Sequence, residues 1–278
     1  MTEHSIHTTA DLLAGLDLEA SGVDEWTGAG LVMPKAVWVF GGLVGAQALM
    51  AAATTVDAKV PRSVRIRFLR QAPAHRPIRH RVTRVSDSRS FADRRVEAFA
   101  DDELVATTTV VFHAPDDTPL GHQHDMVGVD PPDDDRAFAG AGFDSIDLND
   151  PPAHSRRVAS PTQRHWMRAP GTPRDDVITN AAMLTMASDL FLVASAWRPI
   201  EGRSIVDVGA VMSFGLDFTV WFHHPVAATD WHLLDVDTPS AANGRSLSFA
   251  NWFRTDGLLV SSVALDAVMR VREQTETA

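Results

Sequence analysis

One carboxylate in the second half of the chain lies in unusually apolar surroundings. Asp189 is the only charged residue in the stretch MLTMASDLFLVASAW, residues 183–197. A carboxylate on an otherwise apolar helix costs several kcal/mol unless it is paired, exposed or used in chemistry. Two interpretations follow. Asp189 is either a helix-end residue that hydrogen-bonds to backbone, or a group that takes part in a reaction.

Other residue patterns associated with chemistry are incomplete. The chain has no G-x-S-x-G string and therefore no nucleophile elbow of a serine hydrolase. His223 and His224 resemble the start of an HHxxxD acyltransferase motif, but Ala228 stands where the Asp should fall, so we interpret His223 as structural. The string HQHD at 122–125 is a weak basis for a metal site because it lies on a loop. We expect no metal and no cofactor.

A group of glycines lies at the start of a long helical pattern. Gly41, Gly42 and Gly45 have the spacing GGxxG, which matches neither a dinucleotide fingerprint nor a phosphate-binding loop with its lysine. Their better interpretation is a tight turn that lets a helix approach a sheet closely. Because helix N-termini present free N–H groups, Gly41, Gly42 and Leu43 are candidates for holding a substrate carbonyl or a phosphate.

Composition limits the classes of protein to consider. A chain of 278 residues with 45% hydrophobic and 22% charged residues can bury a core, as one large or two medium domains. The net charge of −11 argues against nucleic acid as a partner. The absence of cysteine excludes disulfides and cysteine-ligated zinc and favours a reducing cytoplasm. We also expect neither secretion nor membrane insertion, since we find no signal-peptide pattern and no apolar run of roughly 18 to 20 residues.

The two halves of the chain repeat one pattern. At an offset of 154 residues, FADDELVATTTVV from Phe99 aligns with FRTDGLLVSSVAL from Phe253. The same offset aligns Phe68 with Phe222. In each copy an acidic or glycine turn joins two runs rich in Val, Thr, Phe and Trp, which is typical of a hairpin. The spacing therefore predicts a duplicated set of antiparallel strands.

A long helical pattern precedes the strands of each copy. The first, residues 42–56, is apolar nearly all round and rich in Gly and Ala, as in a buried helix. The second has a predicted N-cap in Thr172–Asp175 and continues to residue 190. Between the copies, residues 115–152 are rich in Asp, Pro and Gly and predict a solvated linker. We expect an α+β chain with units at 1–114 and 153–278, each a long helix followed by antiparallel strands.

Several strings, taken in order and spacing, are similar to those of one known family. They resemble the acyl-CoA thioesterase II (TesB-like) enzymes, which are built as a tandem, or double, hotdog: a central helix wrapped by an antiparallel sheet, twice. The resemblance implies an acyl-CoA substrate, and the exposed sheet edges of such units favour a homodimer or larger homo-oligomer. The strings are LDLE (16–19), VFGGLVGAQAL (39–49), RFLRQA (67–72), SFADRRVEA (90–98), ASDL (187–190), DFTVWFHHP (217–225), DGLLVSS (256–262) and VMR (268–270).

The resemblance also implies a site. The family hydrolyses acyl-CoA with an activated water, and its catalytic Asp falls in the motif matched by ASDL, which is Asp189 here. Its other two catalytic positions hold different residues in this chain: Gly215 replaces a Thr or Ser, and Leu265 replaces a Gln.

Strand alternation offers replacements for these two side chains. Residues i and i+2 of a strand point to the same face, so we expect Ser213 and Thr219 to point with Gly215, and Ser261 with Leu265. Two functions stay open at this point: hydrolysis of acyl-CoA by an Asp-activated water, or an acyl-CoA-binding protein of the same fold that has lost hydrolysis.

Overall fold

The computed structural model describes residues 5–34, 36–116, 121–200 and 211–271. Residues 117–120 of the predicted linker lie outside the described residues, as do the ends of the two predicted units at 1–4 and 272–278. The helices are α1 (Thr9–Leu16), α2 (Gly41–Ala53), α3 (Val177–Ser188) and α4 (Leu192–Ser195), with a single 3-10 turn at Asp134–Arg136. The strands are β1 (Glu19–Gly22), β2 (Glu25–Gly28), β3 (Val60–Phe68), β4 (Ile78–Asp87), β5 (Phe91–Ala100), β6 (Glu103–His113), β7 (Phe138–Gly140), β8 (Phe143–Asp147), β9 (Thr162–Arg168), β10 (Val211–Phe222), β11 (His232–Ala242), β12 (Arg245–Arg254) and β13 (Leu259–Val271).

The described strands form one 13-stranded sheet in the order β1-β2-β4-β5-β6-β3-β10-β13-β12-β11-β9-β8-β7. From its centre outward, the order β3-β6-β5-β4-β2-β1 of the first half matches β10-β13-β12-β11-β9-β8 of the second. The halves meet where β3 pairs antiparallel with β10, with Arg67 opposite Asp217 and Ser63 opposite Trp221. An ion pair between Arg65 and Asp217, 3.0 Å long, crosses the same junction.

The strand bounds follow the repeat found in the sequence. Adding 154 to the bounds of β5 gives those of β12, and adding it to the start of β4 gives the start of β11. The same shift takes the end of β3, Phe68, to the end of β10, Phe222. Equivalent residues therefore occupy equivalent places in the two halves of the sheet.

Two apolar helices pack against each other on one face of this sheet. Every residue of α2 from Gly42 to Leu49 is buried, in agreement with its predicted position, although the helix ends at Ala53. Its close approach to β3 depends on Gly45, because a Cβ there would lie 2.1 Å from Cδ1 of Ile66. We call this helix-covered side of the sheet the inner face and the other side the outer face.

The predicted start of the second helix is wrong. Helix α3 begins at Val177, and its N-cap is Asp176, whose Oδ1 accepts a hydrogen bond from the Thr179 N–H at 2.9 Å. Thr172 instead donates its hydroxyl hydrogen to the Ala169 carbonyl oxygen at 3.0 Å, within the preceding turn. The helix needs an acceptor in the residue before its first turn, and Asp176 is better placed than Thr172 to supply it.

Part of the predicted linker is folded. Residues 138–147 form the hairpin of β7 and β8, and β8 pairs with β9. Phe143 and Ile146 are buried there, although acidic residues surround them in the sequence. The prediction of a solvated linker is therefore wrong for this hairpin, whereas residues 121–133 contain no helix or strand.

The expectation that no apolar run is long enough to cross a membrane is also wrong. The 19 residues Val177–Ser195 have a mean hydropathy of 1.6 and pass that test of length and composition. They comprise α3 and α4 separated by a turn, and 67% of the most apolar window is buried inside the protein. Burial of this kind is what a core helix of a globular protein shows.

Candidate active site

Asp189 lies where the two central helices meet. It is the C-cap residue of α3, and its carboxylate Oδ2 accepts a hydrogen bond from the backbone N–H of Gly42, at the start of α2, at 2.8 Å. Its other oxygen, Oδ1, accepts no hydrogen bond from a described residue. The hydrogen bond from Gly42 agrees with the interpretation of Asp189 as a helix-end residue bonded to backbone. The unpartnered Oδ1 leaves one carboxylate oxygen for a water.

Two glycines and two aromatic rings surround this carboxylate. A Cβ on Gly41 would lie 3.1 Å from Oδ2 of Asp189 and 3.2 Å from Cζ of Phe68. A Cβ on Gly42 would lie 2.8 Å from Cζ of Phe40 and 3.1 Å from Cβ of Asp189. Only residues without a side chain let the start of α2 approach the carboxylate this closely.

Burial changes the ionisation of Asp189. Loss of solvent raises the pKa of its carboxyl from 3.8 to about 7, and the hydrogen bond from the Gly42 N–H opposes that rise. No charged side chain among the described residues contributes to this shift. A carboxyl with a pKa near 7 exchanges its proton readily at neutral pH, which suits a general base or acid.

The three N–H groups predicted to hold substrate differ in availability. The Gly42 N–H is donated to Asp189, and the Leu43 N–H is donated to the Phe40 carbonyl oxygen at 3.1 Å. Leu43 is also fully buried and its N–H is already used within the protein, and substrate binding there stays a prediction. The Gly41 N–H has no hydrogen-bond partner in the part of the chain that the structure describes, and it remains the candidate donor.

The two positions at which the motif resemblance implies polar side chains lie side by side. A Cβ on Gly215 would lie 3.2 Å from Cδ1 of Leu265 and 3.4 Å from both Cδ2 and Cε2 of Phe68. Leu265 is fully buried on β13, on the inner face. Because the Phe68 ring also reaches Gly41 beside Asp189, the ring links these two positions to the carboxylate.

The expected replacement by Thr219 is wrong because β10 contains a bulge. Gly215 pairs with Ala267 and Asp217 pairs with Asp266, so one residue of β10 has no partner. A bulge of this kind reverses the alternation beyond it. Thr219 therefore lies on the outer face opposite Arg65, away from Gly215.

The two serines share the faces expected of them but already bond elsewhere. Ser213 lies on the inner face before the bulge and accepts a hydrogen bond from the Trp197 indole N–H at 2.8 Å. Ser261 lies on the same face as Leu265 and donates its hydroxyl hydrogen to the Trp221 carbonyl oxygen at 2.8 Å. Neither hydroxyl is hydrogen-bonded to Asp189. The atoms nearest to a Cβ on Gly215 are apolar and belong to Leu265 and Phe68.

Phe68 is the site residue that sequence reasoning missed. The repeat aligns it with Phe222, and nothing in its local pattern distinguishes it from a core residue. One signal could have identified Phe68 as a site residue, namely a comparison with Phe222 at the equivalent position. Phe222 is buried in the core, whereas Phe68 ends its strand beside the predicted glycine turn at Gly41. His223, the histidine of the DFTVWFHHP string that we interpreted as structural, forms a hydrogen bond with Ser262 at 2.9 Å, which agrees with a structural role.

A cleft of about 550 Å³ begins at the residues that follow Asp189. Leu190 and Phe191 line it on one side and the β7–β8 hairpin on the other. The Phe191 ring stacks on His165, with ring centroids 3.9 Å apart. This volume lies within the range of small-molecule sites.

Comparison with known proteins places the chain in a known family. A model described as the acyl-CoA thioesterase N-terminal domain matches residues 31–113, and one described as the C-terminal domain matches residues 115–265. The chain belongs to this acyl-CoA thioesterase family, which confirms the resemblance found in the motifs. Acyl-coenzyme A thioesterase 8 of Mus musculus is 27% identical over 93% of this chain and 88% of its own. Acyl-CoA thioesterase 2 of Haemophilus influenzae is 25% identical, over 84% and 88%.

Solved structures agree with this assignment. The acyl-CoA thioesterase II TesB2 of Mycobacterium marinum has a TM-score of 0.77 at 27% identity, covering 95% of this chain and 99% of that one. The tesB protein of Mycobacterium avium subs paratuberculosis has a TM-score of 0.80 at the same identity and coverage. A hot dog fold protein from Alicyclobacillus acidocaldarius has a TM-score of 0.76 at 20% identity, covering 94% and 98%, and supports the fold alone. The protein has the hotdog fold.

Proposed function

We propose that the protein hydrolyses an acyl-CoA thioester to a free acid and coenzyme A, with a water that Asp189 activates. The observation that carries this proposal is the Asp189 carboxylate itself. It is fixed by the Gly42 N–H at 2.8 Å, its Oδ1 is free of described partners, and its pKa of about 7 lets it accept a proton at neutral pH.

The reaction needs one water and no covalent intermediate. Oδ1 of Asp189 accepts a proton from the water as its oxygen bonds to the thioester carbonyl carbon. In this proposal the Gly41 N–H donates to the oxyanion that forms on the carbonyl oxygen. The C–S bond then breaks, and the proton held by Asp189 passes to the departing thiolate, which leaves as the free thiol of coenzyme A.

We also propose the finer architecture and setting. Each half is one hotdog unit, at 1–114 and 153–278, and together they form a double hotdog joined by 115–152. The mirrored strand order around the β3–β10 junction supports this division. A cytoplasmic location stays a prediction of the sequence.

A second function has its own support. Gly215, Leu265 and Phe68 leave the carboxylate without the polar side chains that the family resemblance implies at two of these positions. A water held by Asp189 alone keeps more orientational freedom, which lowers its reactivity. The alternative is a protein that binds acyl-CoA and keeps the thioester intact.

Thiol release from short, medium and aromatic acyl-CoAs tests the proposal. We expect hydrolysis that rises with pH through about 7 and then levels off, because only the ionised Asp189 accepts a proton. Asp189→Asn should reduce the rate by roughly 10² to 10⁴-fold, the usual contribution of a general base. The matched control is Asp175→Asn, a change to an exposed carboxyl before α3, which should leave the rate unaltered.

Two outcomes would overturn the assignment. Hydrolysis that persists in Asp189→Asn would remove this residue from the mechanism. Tight binding of acyl-CoA to the wild-type protein, without thiol release at any pH between 6 and about 9, would favour the non-hydrolytic alternative.

A further inference from the structure

The ring of Phe68 occupies the space between the carboxylate and Gly215. One end of the ring, at Cζ and Cε1, lies 3.2 and 3.4 Å from the position of a Cβ on Gly41, which itself would be 3.1 Å from Oδ2 of Asp189. The other side, at Cδ2 and Cε2, lies 3.4 Å from the position of a Cβ on Gly215. The glycines at 41 and 215 thus make room for one ring.

Phe68 reaches this space because it is the last residue of β3 on the inner face. Ile66 lies opposite Phe218, so alternation places Phe68 on the same side as the helices. Beyond Asp217 the two strands no longer pair, and the bulge in β10 turns Gly215 toward the ring. Phe68 is only partly buried, whereas Phe222 at the equivalent place is 6% exposed and far along β10 from Gly215.

No charged side chain among the described residues contributes to the ionisation of Asp189. Helices α2 and α3 carry no charged residue within their bounds. On the neighbouring strands, Arg67 and Asp217 lie opposite each other on the outer face, away from the helices. The solvation of the carboxylate therefore depends on the apolar groups that cover it.

We propose that Phe68 is a positioning residue of the reaction: its ring keeps bulk water from the Asp189 carboxylate and forms the wall against which the thioester lies. This inference rests on the proposed function for its kinetic part only. The shielding of the carboxylate by the ring is a property of the protein without substrate.

The role follows from what the ring replaces. A hydroxyl at position 215 would offer a water a second hydrogen bond, but this chain has no side chain there. An apolar wall instead limits the space in which a water on Oδ1 can move, and it favours the neutral carboxyl until substrate arrives. The same wall gives the thioester an apolar surface beside Gly41, whose N–H has no hydrogen-bond partner among the described residues.

The first measurement needs no activity. The Asp189 carboxyl is titrated by carbon NMR in full-length protein with labelled aspartate, and its signal is assigned by its loss in Asp189→Asn. In Phe68→Ala we expect the pKa of Asp189 to fall by about one unit or more, because water enters and solvates the charged form. Phe68→Leu keeps an apolar side chain and should restore most of the wild-type value.

Phe222→Ala is the matched control. It removes the same ring from the equivalent position of the other half and should destabilise the core, but it should leave the Asp189 titration unchanged. If Phe68→Ala does not fold, Phe68→Val gives the same test with a smaller shift in the same direction. A titration of Asp189 that is the same in wild type, Phe68→Val and Phe222→Ala would overturn the proposal.

The kinetic measurement separates this inference from the proposed function. In Phe68→Ala the pH–rate curve should shift to lower pH, and kcat above pH 7 should fall about tenfold or more, since the base is weaker and the thioester is less well held. If the wild type shows no hydrolysis, the proposed function fails while the titration still tests the wall. If hydrolysis is normal in Phe68→Ala with an unshifted pH–rate curve, the wall is refuted while the proposed function stands.

Discussion

At the scale of single residues, the site has glycine and leucine at positions 215 and 265, where the motif resemblance implies polar side chains. Gly215 and Leu265 fit each other, because a side chain at 215 would press on Cδ1 of Leu265 at 3.2 Å. A leucine at 265 is therefore compatible with a glycine at 215 and unfavourable to a larger residue there. We therefore predict that the two positions are energetically coupled.

This coupling predicts a non-additive pair of substitutions. Gly215→Thr alone should lower the free energy of unfolding by about 1 to 3 kcal/mol through overpacking against Leu265 and Phe68. Adding Leu265→Gln replaces the branched end of the leucine with a flexible amide and should recover part of that loss. Urea unfolding of the wild type, both single variants and the double variant measures the coupling, and Gly128→Thr, with nothing within 4 Å of a Cβ there, is the control.

The same double variant should hydrolyse acyl-CoA faster. Positioned hydrogen-bond partners for a water or an oxyanion are worth roughly 2 to 4 kcal/mol in the barrier, so the gain could reach about tenfold to a thousandfold. In the unfolding experiment, strictly additive changes in the free energy of unfolding for Gly215→Thr and Leu265→Gln would show that the two positions do not interact. A folded double variant that binds acyl-CoA as before, without faster thiol release, would show that these side chains do not limit the reaction.

The sequence carried part of this site. Asp189 was identifiable because a lone carboxylate in an apolar stretch costs free energy unless it is paired, exposed or used in chemistry, and because it lies in the motif ASDL. The opposite orientation of Thr219 was not predictable, because a bulge leaves no mark on the alternation of residue types around Leu216. Phe68 was not predictable as a site residue, since its role depends on two glycines far away in the sequence.

At the scale of elements, helix α3 positions Asp189, and the N-terminal cap of this helix determines where the helix lies. The Asp176 side chain accepts from the Thr179 N–H at 2.9 Å and from the Thr179 hydroxyl at 2.5 Å. This cap fixes the first turn, and the rigid helix then presents Asp189 at its other end.

Removing the cap should therefore weaken the fold. Asp176→Ala leaves the first N–H groups of α3 without an acceptor and should cost about 1 kcal/mol of unfolding free energy, within a usual range of roughly 0.5 to 2. Asp175→Ala is the control, because Asp175 is exposed and was the acid expected from the sequence. Thermal or urea unfolding of both variants decides between the caps, and a larger loss in Asp175→Ala would contradict this assignment.

The strands were more predictable than the helix ends. Alternation and the offset of 154 indicated strands in both halves, because strands such as β5 and β12 alternate between buried and more exposed residues. The start of α3 was misplaced by several residues, since two acidic residues and a threonine compete for the cap. The β7–β8 hairpin was missed because only Phe143 and Ile146 mark it within an Asp-rich segment.

At the scale of the whole molecule, the two halves differ on the outer face of the sheet. Trp221 is 38% exposed and Phe249 46% exposed in the second half. The residues 154 positions earlier are Arg67 and Arg95. At these two positions the first half carries charged side chains, whereas the second half carries exposed aromatic ones on β10 and β12.

We predict that the protein forms a homodimer or larger homo-oligomer through the outer face of its second half. Exposed aromatic residues on β10 and β12, which flank β13, gain free energy when a second copy covers them, and the edge strands β1 and β7 leave further backbone groups for pairing. Light scattering at micromolar concentration should give at least twice the monomer mass of 30.2 kDa. Phe249→Glu should reduce that mass because it places a charge in the contact, whereas Phe91→Glu, at a 51% exposed phenylalanine of the first half, should not. A monomer mass for the wild type would contradict the prediction, and an unchanged oligomer in Phe249→Glu would move the contact away from this face.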